Sequence, residues 1–206
     1  MPQFDAVAGG IPKGVLTEIC GSLETSSGKT TLLLSLLARA TEDNFCALVD
    51  ANNSFSPSSG QAAGINLSRL YWVRCGKRRP LEQAFKVADI LIQNGGFGLI
   101  AVDISDLDER FVQRVPLTTW FRFSQVVEKM PTALVFLEQH SHATSCAGLV
   151  LKLQSASAGW NSAAPSHTHL LPVFNLEIDV ARLRADAHTK RSVQSSSRFL
   201  ARTKWA

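Results

Sequence analysis

The sequence predicts an α/β fold, a mostly parallel sheet covered by helices, on three observations. Short apolar runs that read as strands alternate with longer runs carrying apolar residues at helical spacing. Two of the short runs, Cys46-Ala47-Leu48-Val49 and Leu99-Ile100-Ala101-Val102, are apolar without alternation and end at an aspartate. That is the pattern of parallel strands buried on both faces. The chain has 206 residues, 45% apolar and 18% charged; it is long enough for one sizeable core and too poor in charge for a disordered chain.

Taken in order, residues 15–20 read as a strand, followed by a loop of small polar residues and a helix over 29–39. Residues 46–49 form the second strand, and the Ser/Asn/Pro/Gly-rich stretch from Asp50 to Gly64 reads as a long connection. A third strand covers 70–73. Pro80 opens a helix that carries Leu81, Ala84, Phe85, Ala88, Leu91 and Ile92 on one face and stops at Asn94-Gly95-Gly96. A strand over 98–103, an amphipathic helix over 118–129 and a strand over 132–137 follow. Beyond Gln154 the pattern weakens: 155–166 is small and polar, and 170–178 reads as one or two edge strands.

Net charge is +4 but unevenly placed. Residues 1–179 are nearly balanced, whereas Arg182, Arg184, Lys190, Arg191, Arg198, Arg202 and Lys204 face only Asp186 in the remainder. The expected organisation is a domain over 1–179 and a basic C-terminal tail over 180–206. The tail cations suit nucleic-acid phosphates or an acidic partner, the plain alternative being a solvated extension.

The cysteines at 20, 46, 75 and 146 form no C-x-x-C pair and read as buried reduced thiols. His140, His142, His167 and His169 read as polar-loop histidines rather than metal ligands. With no apolar run long enough to span a bilayer and no signal-peptide pattern, the expectation is a cytoplasmic chain without a membrane partner.

The strongest motif is Ser26-Ser27-Gly28-Lys29-Thr30-Thr31 between a strand and a helix, which is phosphate-loop chemistry. Gly28 lets backbone N–H groups close around phosphate oxygens, Lys29 reaches the terminal phosphates, and the Thr30 hydroxyl suits magnesium. Asp103, at a strand end, is the natural second magnesium partner. The loop is irregular, because Leu23 stands where the pattern has its first glycine and Gly21 is the nearest upstream one. A polar helix-capping loop is the alternative.

Gly9-Gly10-Ile11-Pro12-Lys13-Gly14, Thr17-Glu18-Ile19-Cys20-Gly21 and Ser27-Gly28-Lys29-Thr30-Thr31 resemble the RecA recombinase core in order and near-correct spacing. The resemblance continues through Cys46-Ala47-Leu48-Val49-Asp50-Ala51 and Leu99 to Asp103 as far as Leu137-Glu138-Gln139, covering roughly residues 4–154. Pro116-Leu117-Thr118-Thr119-Trp120-Phe121-Arg122-Phe123 and Ser145-Cys146-Ala147-Gly148-Leu149-Val150-Leu151 are similar to the RecA-like mutagenesis proteins of the ImuA family. The resemblance implies a RecA-like P-loop core with nucleotide-binding positions Gly21, Ser27, Gly28, Lys29, Thr30, Thr31, Asp103 and Gln139. It also implies an accessory role in damage-induced translesion DNA synthesis within the SOS response. The implied partners are an ImuB-like polymerase-complex protein, the RecA recombinase and single-stranded DNA.

Against the recombinase pattern, Asn52 replaces the glutamate that activates water, and an amide cannot take that proton. Ser56 and Ser59 replace the adenine-contacting acid and aromatic ring. Two extra residues lengthen the phosphate loop and bring in Glu24. The segment from His140 to Ser145 is shorter than the second DNA loop, and the chain opens without the subunit-linking helix. The resulting expectation is a non-filamentous adaptor with no catalytic residue, for which ATP and magnesium are dispensable. The rival is a working DNA-dependent ATPase using Lys29, Thr30 and Asp103 with Glu138 as base. The segment from Trp120 to Phe123 is expected to meet partners, unless Trp120 and Phe123 face the core.

Overall fold

The computed structural model describes residues 11–22, 27–159, 173–183 and 196–202. Strands β1 (Leu16–Cys20), β2 (Cys46–Asp50), β3 (Leu70–Arg74), β4 (Leu99–Asp103), β5 (Ala133–Glu138), β6 (Leu149–Gly159), β7 (Val173–Leu183) and β8 (Ser196–Arg202) form one sheet in the order β3-β2-β4-β5-β1-β6-β7-β8. The pairings from β3 to β6 are parallel, and β7 and β8 join antiparallel. Helices α1 (Lys29–Thr41), α2 (Pro57–Ala62), α3 (Pro80–Asn94), α4 (Glu109–Val112) and α5 (Leu117–Val127) lie between the strands. This is the α/β class that the alternation predicts.

Alternation of side chains along each strand divides the core in two. Ala47, Val49, Ile100, Val102, Leu134 and Phe136 pack with α3 and α5. Cys46, Leu48, Leu99, Ala101, Val135 and Leu137 pack with Leu32, Leu33 and Leu37 of α1. The α3/α5 side is aromatic: Phe85, Trp120, Phe123 and Phe136 meet mostly edge to face, with centroids 5.0–5.8 Å apart. Trp120 and Phe123 are 1% exposed, so of the segment expected to meet partners only Phe121 and Arg122 reach the surface. Their three-residue spacing puts both rings on the buried stripe of α5.

The connection after Asp50 is not wholly irregular. Ser56 caps α2 by accepting from the Ser59 N–H, and Pro57, whose fixed φ suits a first helical turn, follows it. The short α4 is likewise capped by the Asp108 carboxylate, which accepts from the Arg110 N–H. Residues 155–159, small and polar, extend β6 because its pairing with β7, bulged twice, decides their conformation. Strand β7 runs through the expected boundary between 179 and 180. It carries Arg182, and β8 carries Arg198 and Arg202. Arg184, Lys190, Arg191, Lys204, His167 and His169 lie outside the described residues.

Cys20, Cys46 and Cys146 are buried free thiols and Cys75 is half-buried. Burial pushes Cys20 and Cys46 up, the latter to about 11. Among the described residues no helix is long and apolar enough to cross a membrane.

Candidate functional site

The parallel strands β1, β2, β4 and β5 all point their C-terminal ends at one edge of the sheet, where the loops before α1, α2 and α4 converge. Open parallel sheets place ligands at this edge. A cavity of about 370 Å³ opens there, lined by Ser27, Gly28, Lys29, Thr30 and Thr31 on one side and by Phe55, Ser56, Ser59, Asp103, Ser105 and Asp106 on the other. The structure thus brings together five of the expected phosphate-loop positions and Asp103.

Gly28 precedes α1 with φ 75°, a left-handed conformation that glycine adopts without strain, and among the described residues no side chain caps the helix. The amides of the first turn therefore remain for an anion. Lys29 is buried, and its Nζ donates to the carbonyls of Gly21 (2.6 Å) and Glu138 (3.2 Å). Burial lowers its pKa, while Asp103 and Asp106 act to keep the charge. The close approach also explains Gly21: a Cβ there would stand 2.6 Å from the Ser27 side chain. Residues 23–26, including the extra Glu24, lie outside the described residues.

Asp103 is 9% exposed and accepts from the Ser105 N–H (3.0 Å) and Oγ (2.7 Å). Burial pushes its carboxyl up, against the pull of the Ser105 bonds. Asp106, exposed at the rim, supplies a second carboxylate. Neither Ser105 nor Asp106 is marked by the sequence pattern, although both follow directly from Asp103.

Gln139 is not part of this lining. Its Nε2 donates to the Leu107 carbonyl at 2.8 Å, and the residue borders an adjoining cavity, which shares Ser22 with the first, together with Cys20, Gly21, His140, Ser141 and Lys152. Asn52 lies outside the lining too, its buried Nδ2 without a hydrogen-bond partner among the described residues. The preceding strand end is occupied: Asp50 accepts from the N–H groups of Ser54 and Phe55 and from Trp72 Nε1, all at 3.0–3.1 Å.

Sequence reasoning missed a buried acid–histidine cluster behind the site. Glu18, fully buried on β1, accepts from Ser141 Oγ and from the His142 and Ala143 N–H groups at 2.6–2.7 Å. His142 bridges Glu138 Oε2 (2.7 Å, through Nδ1) and Glu109 Oε1 (2.8 Å, through Nε2). Burial pushes Glu138 up to about 7, the His142 bond opposing it. Burial alone would lower His142, but Glu138 and Glu109 more than offset this and raise it. The available signal was a glutamate within one largely apolar strand, β1, and another at the end of the apolar β5. Among the described residues no cluster of three His, Cys, Asp or Glu side chains suits a metal ion.

Comparison with known proteins bears on this edge of the sheet. The model of the RecA N-terminal domain matches residues 4–107. The RecA protein of Rickettsia massiliae (strain Mtu5) is 41% identical over 96 residues, which cover 46% of this chain and 26% of the relative. That of Desulfotalea psychrophila (strain LSv54 / DSM 12343) is 31% identical over 146 residues, covering 64% and 40%. The chain therefore spans between about a quarter and two fifths of the length of these relatives.

Proposed function

Because the chain belongs to the RecA N-terminal domain family, we propose that it is a non-filamentous adaptor in damage-induced translesion DNA synthesis, holding nucleotide without productive hydrolysis. The observation that carries this reading is that, among the described residues, neither of the two expected base positions, 52 and 138, presents a carboxylate to the cavity. Asn52 offers an amide outside the cavity, and Glu138, the alternative base, is 1% exposed and turned to His142. Glu138 meets Lys29 through its backbone carbonyl, not its carboxylate. Losing a positioned general base typically removes about 10²–10⁴-fold of rate.

The residues present fit ATP with magnesium. The uncapped α1 amides and Lys29 suit phosphate oxygens, while Thr30 and Asp103 form a hard-oxygen pair facing the same cavity. Bound there, magnesium would neutralise phosphate charge. Gly28 shapes the anion cradle, Lys29 ties β1 and β5 to it, and Ser105 orients Asp103. Ser56 and Ser59 line the cavity without offering an aromatic face to a base, which supports weak affinity.

The local similarity to ImuA-type mutagenesis proteins supports the partner set: an ImuB-like polymerase-complex protein, the RecA recombinase and single-stranded DNA, met in the cytoplasm. The basic positions Arg182, Arg184, Lys190, Arg191, Arg198, Arg202 and Lys204 remain the proposed partner or DNA contacts.

A second reading has one observation in its favour. Asp106 is an exposed carboxylate lining the cavity, so a working DNA-dependent ATPase would have it as base. Hydrolysis assays with and without single-stranded DNA, beside calorimetric ATP titration and pull-down of the two protein partners, separate the readings. The adaptor gives weak ATP binding, no turnover and retained partners. DNA-stimulated turnover lost in Asp106→Asn makes the chain an enzyme.

A further inference from the structure

A second and larger cavity, about 780 Å³, lies between the N-terminal end of α3 and the segment joining α4 to α5. It shares no lining residue with the phosphate cavity. Its floor is apolar, built from Leu81, Phe85, Leu107, Phe111, Val115 and Pro116. Phe85 belongs to the buried aromatic cluster, but Phe111 is 59% exposed. A large ring left that open gains from any partner that removes it from water.

The rim is cationic. Lys77, Arg79 and Arg114 line it with two acids, Glu82 and Asp108. Both acids are engaged: Arg79 reaches Glu82 at 3.2 Å, and Arg110 holds Asp108 at 2.5 Å. Among the described residues Lys77 and Arg114 have no carboxylate within ion-pair distance. Helix α3 begins here at Pro80 with no side-chain cap, and its dipole adds partial positive charge. The groove's own two acids are thus paired, which leaves Lys77 and Arg114 to meet acidic charge from outside.

The floor offers one open ring, Phe111, among Leu81, Leu107, Val115 and Pro116, with Phe85 buried, which suits a single inserted side chain better than successive stacked bases. The rim carboxylates would oppose a continuous phosphate backbone, whereas a peptide can space its acids to meet Lys77 and Arg114. We propose that this groove docks an acidic peptide segment of a partner protein, one aromatic or leucine side chain entering between Phe111 and Leu81. The proposal does not rest on how the phosphate cavity is used.

The test is fluorescence anisotropy of the full chain with a fluorescein-labelled peptide carrying one Phe flanked by Asp and Glu, beside oligothymidine. The peptide should bind, more weakly at higher salt. Lys77→Glu combined with Arg114→Glu should weaken it at least about tenfold, and Phe111→Ser comparably. Unchanged unfolding midpoints would show that these exposed replacements leave the fold intact. Failure of the peptide to bind overturns the proposal, as does binding indifferent to the charge reversal. Oligothymidine that competes the peptide off and binds more tightly assigns the groove to nucleic acid instead.

Discussion

Asp50 and Asp103 end adjacent parallel strands and pair with each other in register, yet they do different work. Asp50 is consumed by structure, its carboxylate accepting from two loop N–H groups and an indole. Among the described residues Asp103 is held by Ser105 alone, and it faces the cavity that contains Lys29. A strand-end aspartate is thus not a site by position. Its character is set by how many donors the following loop aims at it, and the loop after β2, turned by Asn53 at φ 58°, aims more.

Replacing each carboxylate with its amide sharpens this contrast most. Asp50→Asn sets an NH₂ against donors and should cost about 2–4 kcal/mol in urea unfolding, since bonds to a charged acceptor carry about 1.5–3 kcal/mol each. A loss below about 1 kcal/mol would break the comparison by making Asp50 as dispensable as its neighbour.

A third strand end, Glu138 on β5, extends the comparison to pH. The folded protein raises Glu138 from 4.5 to about 7 and also raises His142. Between these values the folded chain binds more protons than the unfolded one, so both groups favour folding at mildly acidic pH and lose that contribution as pH rises through neutrality. The thermal midpoint should fall by several degrees between about pH 5 and 8. Glu138→Gln should flatten that fall, and an unaltered profile in the variant would show that other groups carry it.

The smallest effect belongs to Asp103. Burial raises its carboxyl, so ionisation at neutral pH opposes folding. Asp103→Asn should leave stability unchanged or raise it by up to about 1 kcal/mol, opposite in sign to Asp50→Asn. Magnesium-dependent nucleotide affinity, measured by calorimetry, should fall. A destabilisation as large as that of Asp50→Asn would erase the distinction.

The central strands were legible because unbroken apolar runs such as 46–49 and 99–102 have few places to go except a doubly covered sheet. Helix α2 was missed although Ser56-Pro57 is a helix-start signal, because Ser58, Ser59 and Gly60 look like loop. Residues 155–159 carry no strand signal, and their conformation comes from a partner strand distant in sequence. At the site, Gly28, Lys29, Thr30 and Asp103 could be picked out, since local chemistry marks them. The engagement of Glu138 by His142 and the placement of Gln139 on Leu107 depend on side-chain directions that spacing does not encode.

The brace at Asp50 has an optical consequence. Trp72, which donates its indole N–H to that carboxylate, stands edge-on to Phe55 with centroids 5.3 Å apart and lies under the Arg74 guanidinium at 5.1 Å. Phe55 in turn lines the phosphate cavity, whereas Trp120 is sealed in the aromatic cluster on the other face of the sheet. The indole of Trp72 is therefore a resident fluorophore one ring away from the cavity wall. Its emission should follow any shift of Phe55 on filling, most cleanly once Trp160 and Trp205 are replaced and Trp120 is left as the sealed reference.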